Sequence, residues 1–347
     1  MLGPFQKQDS INPILSPLTT TTFACPVQGT DVRWEGKYVF NPAAVVKDGK
    51  VYLLYRAEDG FWGDRSTSRI GLAWSNDGIR FQRRTGPVLF PDSGAMSLYE
   101  WPGGCEDPRI VEDGIGGYVL TYTAWDRQTA RLCVATSFDL LRWTKHGPAF
   151  KDAYAGRYKD FWSKSGAIVC DVKEGKFVAR RVNGRYWMYW GDTDIFLAWS
   201  KDLIRWTPVE RIEVTEGRSA KEPVKRRLLP VVSVRKGEFD SQLVEPGPPA
   251  FVTSRGILLI YNSCAAENSS LPQGTYATGQ ILFDSGNPAQ MIERTREPFL
   301  KPDREYEISG QVSRVCFVEG LVQFKGRFFL YYGSADSRIA VAVWSPE

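Results

Sequence analysis

The chain has 347 residues, with 44 Lys+Arg against 40 Asp+Glu, a net charge of +4, 43% hydrophobic residues and 13% aromatic residues. That composition supports a packed core and excludes wholesale disorder, and so balanced a charge argues against a nucleic-acid binder. A single histidine, His146, excludes a His-rich metal site and would leave any histidine-dependent nucleophilic catalysis resting on one residue.

Met1 to Ser10 is polar, with no charged segment leading into an apolar one, so no signal peptide is expected. The protein is read as cytoplasmic, or as periplasmic if a leader has been removed. Residues 1–35 precede the first repeated unit and are expected to supply outer-strand and closure material to the last one. The unit itself is a Gly-containing turn, an aromatic-rich strand and a second strand. The first copy carries Asn41-Pro42, the turn Asp48-Gly49-Lys50, the strand Val51 to Arg56, and then Ile70 to Ser75 followed by Asp77-Gly78. The second has Glu106-Asp107-Pro108-Arg109, Gly116-Gly117, Tyr118 to Ala124, and Leu132 to Ser137 followed by Asp139-Leu140. The third has Lys164-Ser165-Gly166, Asn183-Gly184-Arg185, Tyr186 to Tyr189, and Ile195 to Ser200 followed by Asp202-Leu203. The fourth has Glu245-Pro246-Gly247, Arg255-Gly256 and Ile257 to Asn262. The fifth has Glu319-Gly320, Lys325-Gly326-Arg327, Phe328 to Gly333 and Ile339 to Trp344.

The turn glycines at 49, 117, 184, 256 and 326 are separated by 68, 67, 72 and 70 residues, so five copies of about 69 residues fill the chain. The runs are short, rich in Val, Ile, Tyr, Phe and Trp, and bounded by Gly, Pro, Asp and Asn; no helical periodicity extends beyond ten residues. The pattern predicts an all-β, single-domain, five-bladed β-propeller over residues 1–347 with four-stranded antiparallel blades. No apolar run approaches the ~20 residues of a membrane helix. The six cysteines are scattered without a CxxC pair and read as buried thiols. Asp77, Asp139 and Asp202 read as outer-turn residues, Trp74, Trp143, Trp199 and Trp206 as blade core, His146 as a surface-loop residue, and the basic cluster Lys221 to Arg227 as a solvated loop.

In a propeller, residues just before the innermost strands gather at one mouth of the central channel. That ring comprises Asn41, Glu106-Asp107, Lys164-Ser165, Glu245 and Glu319. The far ends of the next strands return Arg56, Asp126, Asp192, Asn262 and Asp336 to the same neighbourhood. Paired carboxylates among aromatics are the groups glycoside chemistry uses, one acid protonating the leaving oxygen and another carboxylate activating water or attacking. Crowding the acids also raises the pKa of one of them, which can then stay protonated near neutrality.

The motifs Asn41-Pro42-Ala43, Tyr55-Arg56-Ala57, Gly71-Leu72-Ala73, Gly104-Cys105-Glu106-Asp107-Pro108-Arg109, Leu197-Ala198 and Tyr331-Tyr332-Gly333 with Ala335-Asp336 span nearly the whole chain. At these residues it resembles glycoside hydrolase family 130, the mannoside phosphorylases and β-1,2-mannosidases. The resemblance implies a five-bladed propeller, Asp107 as general acid acting through the 3-hydroxyl of the mannose, and Asn41, Arg56 and Asp336 as residues holding that mannose. It leaves Arg109 either orienting the acid or forming a structural salt bridge. Asp192 and Asn262 are expected to face the substrate as well.

Two departures point within the family. Phosphorylases carry a histidine after the tyrosine of the fourth repeat, where this chain has Tyr261-Asn262-Ser263. Glu245 and Glu319 would face a phosphate, and each like-charge contact at about 4 Å costs about 4 kcal/mol at an effective dielectric near 20. Water is a better match for two glutamates. The expected activity is an inverting, exo-acting β-mannosidase on β-1,2-linked mannosides, with Glu245, Glu319 or both as base. The alternatives are a mannoside phosphorylase, a retaining furanosidase-like hydrolase and a non-catalytic carbohydrate-binding propeller. The expected partner is an oligosaccharide, with no nucleic acid, membrane, metal or cofactor.

Overall fold

The five turn glycines open five antiparallel hairpins. The computed structural model describes residues 1–60, 66–212 and 226–346. Asp48-Gly49, Asn183-Gly184 and Lys325-Gly326 each place both residues at positive φ, between 49° and 77°. Two consecutive left-handed residues make the turn whose twist matches the flanking strands, and Asx-Gly or X-Gly is the pair that tolerates it. The first hairpin joins Tyr38–Lys47 to Lys50–Glu58, which pairs onward with Ser68–Ser75. The second runs Gly104–Glu112, Tyr118–Trp125, Ala130–Ser137 and Thr144–Pro148. The third links Ala167–Lys173, Arg185–Trp190, Phe196–Ser200 and Trp206–Pro208. In the fourth, Leu243–Pro246 and Ala250–Thr253 both pair with Gly256–Cys264, which continues to Tyr276–Phe283 and Met291–Arg294. The fifth runs Cys316–Phe324, Arg327–Ser334 and Arg338–Trp344, and Gln6–Lys7 adds the outer strand, with Gln6 opposite Val343. The protein is all-β; among the described residues the α-helices, Ser97–Glu100 and Glu305–Ile308, have four residues each.

The first strands are buried along nearly their whole length, as in Gly104–Glu112, so they read as continuous apolar runs and not as alternation. The core lies between successive sheets. Ala43, Leu54 and Leu72 of the first unit pack with Ile110, Leu120 and Cys133 of the second, and Tyr55 and Val51 pack with Val322, Phe329 and Tyr331 of the fifth. The last sheet meets the first so closely that a Cβ on Gly320 would lie 2.6 Å from the Pro42 carbonyl oxygen.

A tyrosine on the second strand ties four of these sheets to a fully buried carboxylate. Tyr55 donates to Glu35 at 2.8 Å, Tyr122 to Glu100 at 2.8 Å, Tyr261 to Asp240 at 2.7 Å and Tyr332 to Glu307 at 2.7 Å. Each carboxylate also takes a cation: Arg83 at 2.9 Å, Lys145 at 2.6 Å, Arg235 at 2.8 Å and Lys7 at 2.6 Å, respectively. In the third unit Tyr189 donates instead to the Pro288 carbonyl at 2.8 Å. The two short helices deliver Glu100 and Glu307 to these ties.

The outer aspartates behave as turn residues. Oδ1 of Asp77, Asp139 and Asp202 each accepts two backbone N–H bonds at 2.8 and 2.9 Å from the residues two and three positions on. All six cysteines are free and buried. Two expectations need correction. Trp206 is buried, but Trp74, Trp143 and Trp199 remain partly exposed, and two of them meet polar side chains instead of core: Trp74 donates to Gln82 at 3.1 Å and Trp199 lies under the Arg185 guanidinium. His146 sits on the strand Thr144–Pro148, half-buried, 2.8 Å from the Thr136 hydroxyl, and not on a loop. Lys221 to Lys225 lie outside the described residues; Arg226 and Arg227 lie on the strand Arg226–Leu228. Among the described residues no helix is long and apolar enough to cross a membrane.

Removing one partner of a buried ion pair leaves an uncompensated charge, at a cost of about 3 kcal/mol or more. Lys7→Met should therefore lower the unfolding free energy by that amount in urea titrations, because Glu307 is fully buried against it.

Candidate active site

Three first strands are interrupted by β-bulges, and each bulge carries a candidate. Register shifts between Phe40 and Pro42, between Glu106 and Arg109, and between Val318 and Gly320. The skipped residues include Asn41, Asp107 and Glu319. A bulge breaks the ladder and re-aims the extra residue, and two of the residues so released, Asn41 and Asp107, bond each other across the first and second units. Asn41 and Asp107 take φ of 46° and 48°, and Ser165 and Asp336 take 55° and 47°. Left-handed conformations cost a non-glycine residue stability and concentrate at functional sites. Gly333 leaves the space that Asn41 needs, since a Cβ there would collide with Asn41 Oδ1.

Asp107 is the centre of one cluster. Its Oδ1 accepts from Asn41 Nδ2 at 2.9 Å and from Arg56 Nη1 at 3.1 Å. Arg56 also bonds Glu106 at 2.9 Å and Glu58 at 2.7 Å, and its guanidinium lies 4.7 Å from the Phe40 ring centre. A second cluster holds Glu245 and Glu319. Glu245 Oε1 accepts a short hydrogen bond from Ser165 Oγ. Arg109 Nη1 is 3.0 Å from Glu319 Oε1, and Nη2 is 4.0 Å from Glu245. Neither Glu319 oxygen meets a protein donor in hydrogen-bonding geometry, although the residue is fully buried.

The charges sort these acids. Burial alone would raise Asp107, but Arg56, Lys164, Arg109 and the Asn41 bond hold its pKa down to about 2. Burial raises Glu245 to about 7 against Lys164 and Arg109, and raises Asp336 to about 7 against Arg56 with help from Asp107, Glu58 and Glu245. Burial lifts Glu319 well above the ordinary carboxyl range, with Arg109 opposing. Burial thus shifts Glu245, Glu319 and Asp336 toward the protonated form, with Glu245 and Asp336 titrating at about 7. Crowding was expected to keep one acid protonated; Asp107, the residue implied as the acid, is instead the carboxylate.

Two residues expected at the site are committed to protein partners. Arg109 is buried beneath the cluster and donates to the backbone carbonyls of Asp107 at 3.0 Å, Pro246 at 2.8 Å and Gly247 at 3.2 Å. It is a strut and not a surface for the sugar. Asn262 is likewise fully buried, its amide and carbonyl spent on the Val318 backbone at 2.9 and 2.8 Å, which braces the residue next to Glu319. Asp192 stands at the edge of the site, accepting from Trp162 Nε1 at 2.7 Å. Asp126 is spent on the Gln128 and Thr129 backbone and on Arg131.

Lys164 had no assigned role, though the repeat alignment puts it in the ring. Burial lowers its pKa, but Asp107, Glu106, Glu245 and Asp192 together raise it, so one ammonium serves both acid clusters. Glu106 was likewise in the ring without a role. Among the described residues no group of three His, Cys, Asp or Glu is arranged to hold a metal ion.

A carboxyl raised in the folded protein binds its proton more tightly there than in the unfolded chain. Its contribution to stability is complete below about pH 4 and is lost as pH rises through the folded value near 7. The melting temperature should therefore fall between pH 5 and 8, and Glu245→Gln should flatten that fall. A variant as pH-sensitive as the wild type would show that Glu245 is not the titrating group.

Comparison with known proteins follows the same residues. A family model of glycoside hydrolase family 130, beta-1,4-mannooligosaccharide phosphorylase, matches residues 5–347. A 1,2-beta-oligomannan phosphorylase of Thermoanaerobacter sp. (strain X514) is 31% identical over 90% of this chain and 91% of its own length. A glycosyl hydrolase structure from Bacteroides ovatus is 44% identical, with a TM-score of 0.92 over 100% of this chain and 95% of that chain. A further structure belongs to work showing that this family of mannoside phosphorylases contains glycoside hydrolases that target beta-1,2 mannosidic linkages in Candida mannan; it is 44% identical, with a TM-score of 0.93 over 100% of this chain and 95% of that chain. With a family match that runs through the whole strand array and every bulge of the site, the chain belongs to glycoside hydrolase family 130.

Proposed function

We propose that the chain is an inverting, exo-acting β-mannosidase that hydrolyses β-1,2-linked mannosides. We read it as a single five-bladed propeller with residues 1–35 closing the last blade. The observation that carries the hydrolytic reading is the pair of buried carboxyls, Glu245 and Glu319, gathered at Arg109, while Asp107 is held by Asn41 and Arg56. An inverting glycosidase needs its acid on one face of the sugar and its base on the other. The Asn41–Arg56–Asp107 side suits the mannose and its leaving oxygen; the Glu245–Glu319 side suits the attacking water.

The steps follow from the charges. Asn41, Arg56 and Asp336 bind the mannose hydroxyls. The sugar shields Asp107 from solvent and competes for Arg56 and Asn41, which weakens the interactions that hold its pKa low and lets it take up a proton. Asp107 then gives that proton to the 3-hydroxyl, which passes its own to the glycosidic oxygen. Glu245, once ionised, takes a proton from water as the oxygen attacks C1, and Glu319 positions that water. The bond from C1 to the leaving oxygen breaks as the bond from C1 to water forms, on opposite faces.

The second reading is a mannoside phosphorylase. Lys164 supplies a cation at the Glu245 cluster, and the 31%-identical relative is a phosphorylase. The 44% identity to the structure associated with β-1,2-mannosidic hydrolysis supports the first reading.

Incubation with β-1,2-mannobiose should release mannose at a rate independent of phosphate, with the α-anomer formed first. Mannose 1-phosphate appearing in proportion to phosphate would establish the phosphorylase instead. Asp107→Asn should reduce kcat by ~10²–10⁴-fold, the usual span of general acid–base catalysis; retention of more than about a tenth of the activity would move the acid elsewhere. Because Glu245 must be ionised to accept a proton, kcat/KM should decline as pH drops below about 7. An acid limb near 4.5 would remove Glu245 as the base.

A further inference from the structure

The segment from Asp152 to Lys164 has no geometry legible in the sequence, yet the fold pins it at many points. Tyr154 donates to the Pro208 carbonyl at 2.9 Å; Arg157 and Tyr158 both bond Glu210, at 2.6 and 2.8 Å. Asp160 takes Arg131 at 3.0 Å, and the Ser163 N–H meets the Ala130 carbonyl at 3.0 Å. At its end the loop presents Trp162, 44% exposed, an unusual placement for so large an apolar ring unless something covers it.

That ring is held in place. Its Nε1–H donates to Asp192 at 2.7 Å, and its edge packs against Trp125 with centroids 5.7 Å apart and planes at 75°. Trp125 pairs with Gly104, two residues before Glu106, so Trp162 stands on the flank of the acid Asp107. The Gly191 N–H, beside Asp192, bonds the Lys164 carbonyl at 3.0 Å, so the same indole borders the charged site. In an inverting reaction the leaving oxygen is on the acid's side, and the departing sugar extends from there. A rigid aromatic face with a carboxylate and an ammonium beside it matches a pyranose, whose C–H face is apolar and whose rim is hydroxylated.

We propose that Trp162, oriented by Asp192 and Trp125, is the stacking platform for the sugar on the leaving-group side, and so sets a preference for oligosaccharide over short leaving groups. This rests on the β-mannosidase reading above. Preorganisation of the platform means that little ordering is required on binding.

The test compares β-1,2-mannobiose with β-mannosyl fluoride, whose leaving group carries no sugar. Trp162→Ala should lower the ratio of kcat/KM for mannobiose to that for the fluoride by about tenfold or more, mainly through KM, and Trp162→Phe should recover most of the loss. Mannobiose binding to the Asp107→Asn protein, read by calorimetry, should weaken by a similar factor when Trp162→Ala is added. An equal loss on both substrates would make Trp162 structural and overturn the proposal, as would an unchanged ratio. A wild-type protein that cleaves neither β-mannoside would instead bring down the enzymatic reading, and this inference with it.

Discussion

One buried guanidinium holds the site together. Arg109 follows the bulge that carries Asp107, and it reaches the carbonyls of Asp107, Pro246 and Gly247 while lying 3.0 Å from Glu319. It therefore joins the second, fourth and fifth units at a point where no strand ladder runs between them. Burying an ion costs several kcal/mol, so a buried arginine is retained only where its donors are well used. Here three donors meet backbone oxygens that a bulge and a strand break have freed, and the guanidinium charge beside Glu319 favours the ionised form of that carboxyl against its burial.

The bulges are the second element of the same arrangement. An unbroken first strand would bury Asn41, Asp107 and Glu319 between sheets, among apolar neighbours. The inserted residues free them from the ladder to meet Arg56 and Arg109, at the cost of left-handed backbone at Asn41 and Asp107. Such conformations cost about 1–3 kcal/mol each and persist where the surroundings over-determine them. The surroundings are rigid here because tyrosine–carboxylate–cation ties fix four of the five second strands.

The same crowding divides the acids by their neighbours and not by their type. Asp107 has Arg56, Asn41 and Lys164, which hold its pKa down to about 2; Glu319 has the less well aligned Arg109 and complete burial, which pushes its pKa up.

The repeats, the turn glycines, the outer aspartates and the recurrence of polar residues ahead of each turn were legible from spacing, because a strand–turn–strand unit places its residues by local chain geometry alone; that Asn41, Asp107 and Glu319 sit on bulges inside the first strands was not. The grouping of Asp107 with Asn41 and Arg56 was legible too, through motifs at fixed places in the repeats. The sequence could not separate residues that face the sugar from residues that brace it. Arg109 and Asn262 stand beside the ring in the chain, yet each spends its donors on backbone from another repeat, and only the closing of the sheets against one another brings those partners within reach. The protonation pattern and the stance of Trp162 are of the same kind. Each depends on burial and on charges supplied from distant units, and burial is a property of the assembled sheets, not of any segment.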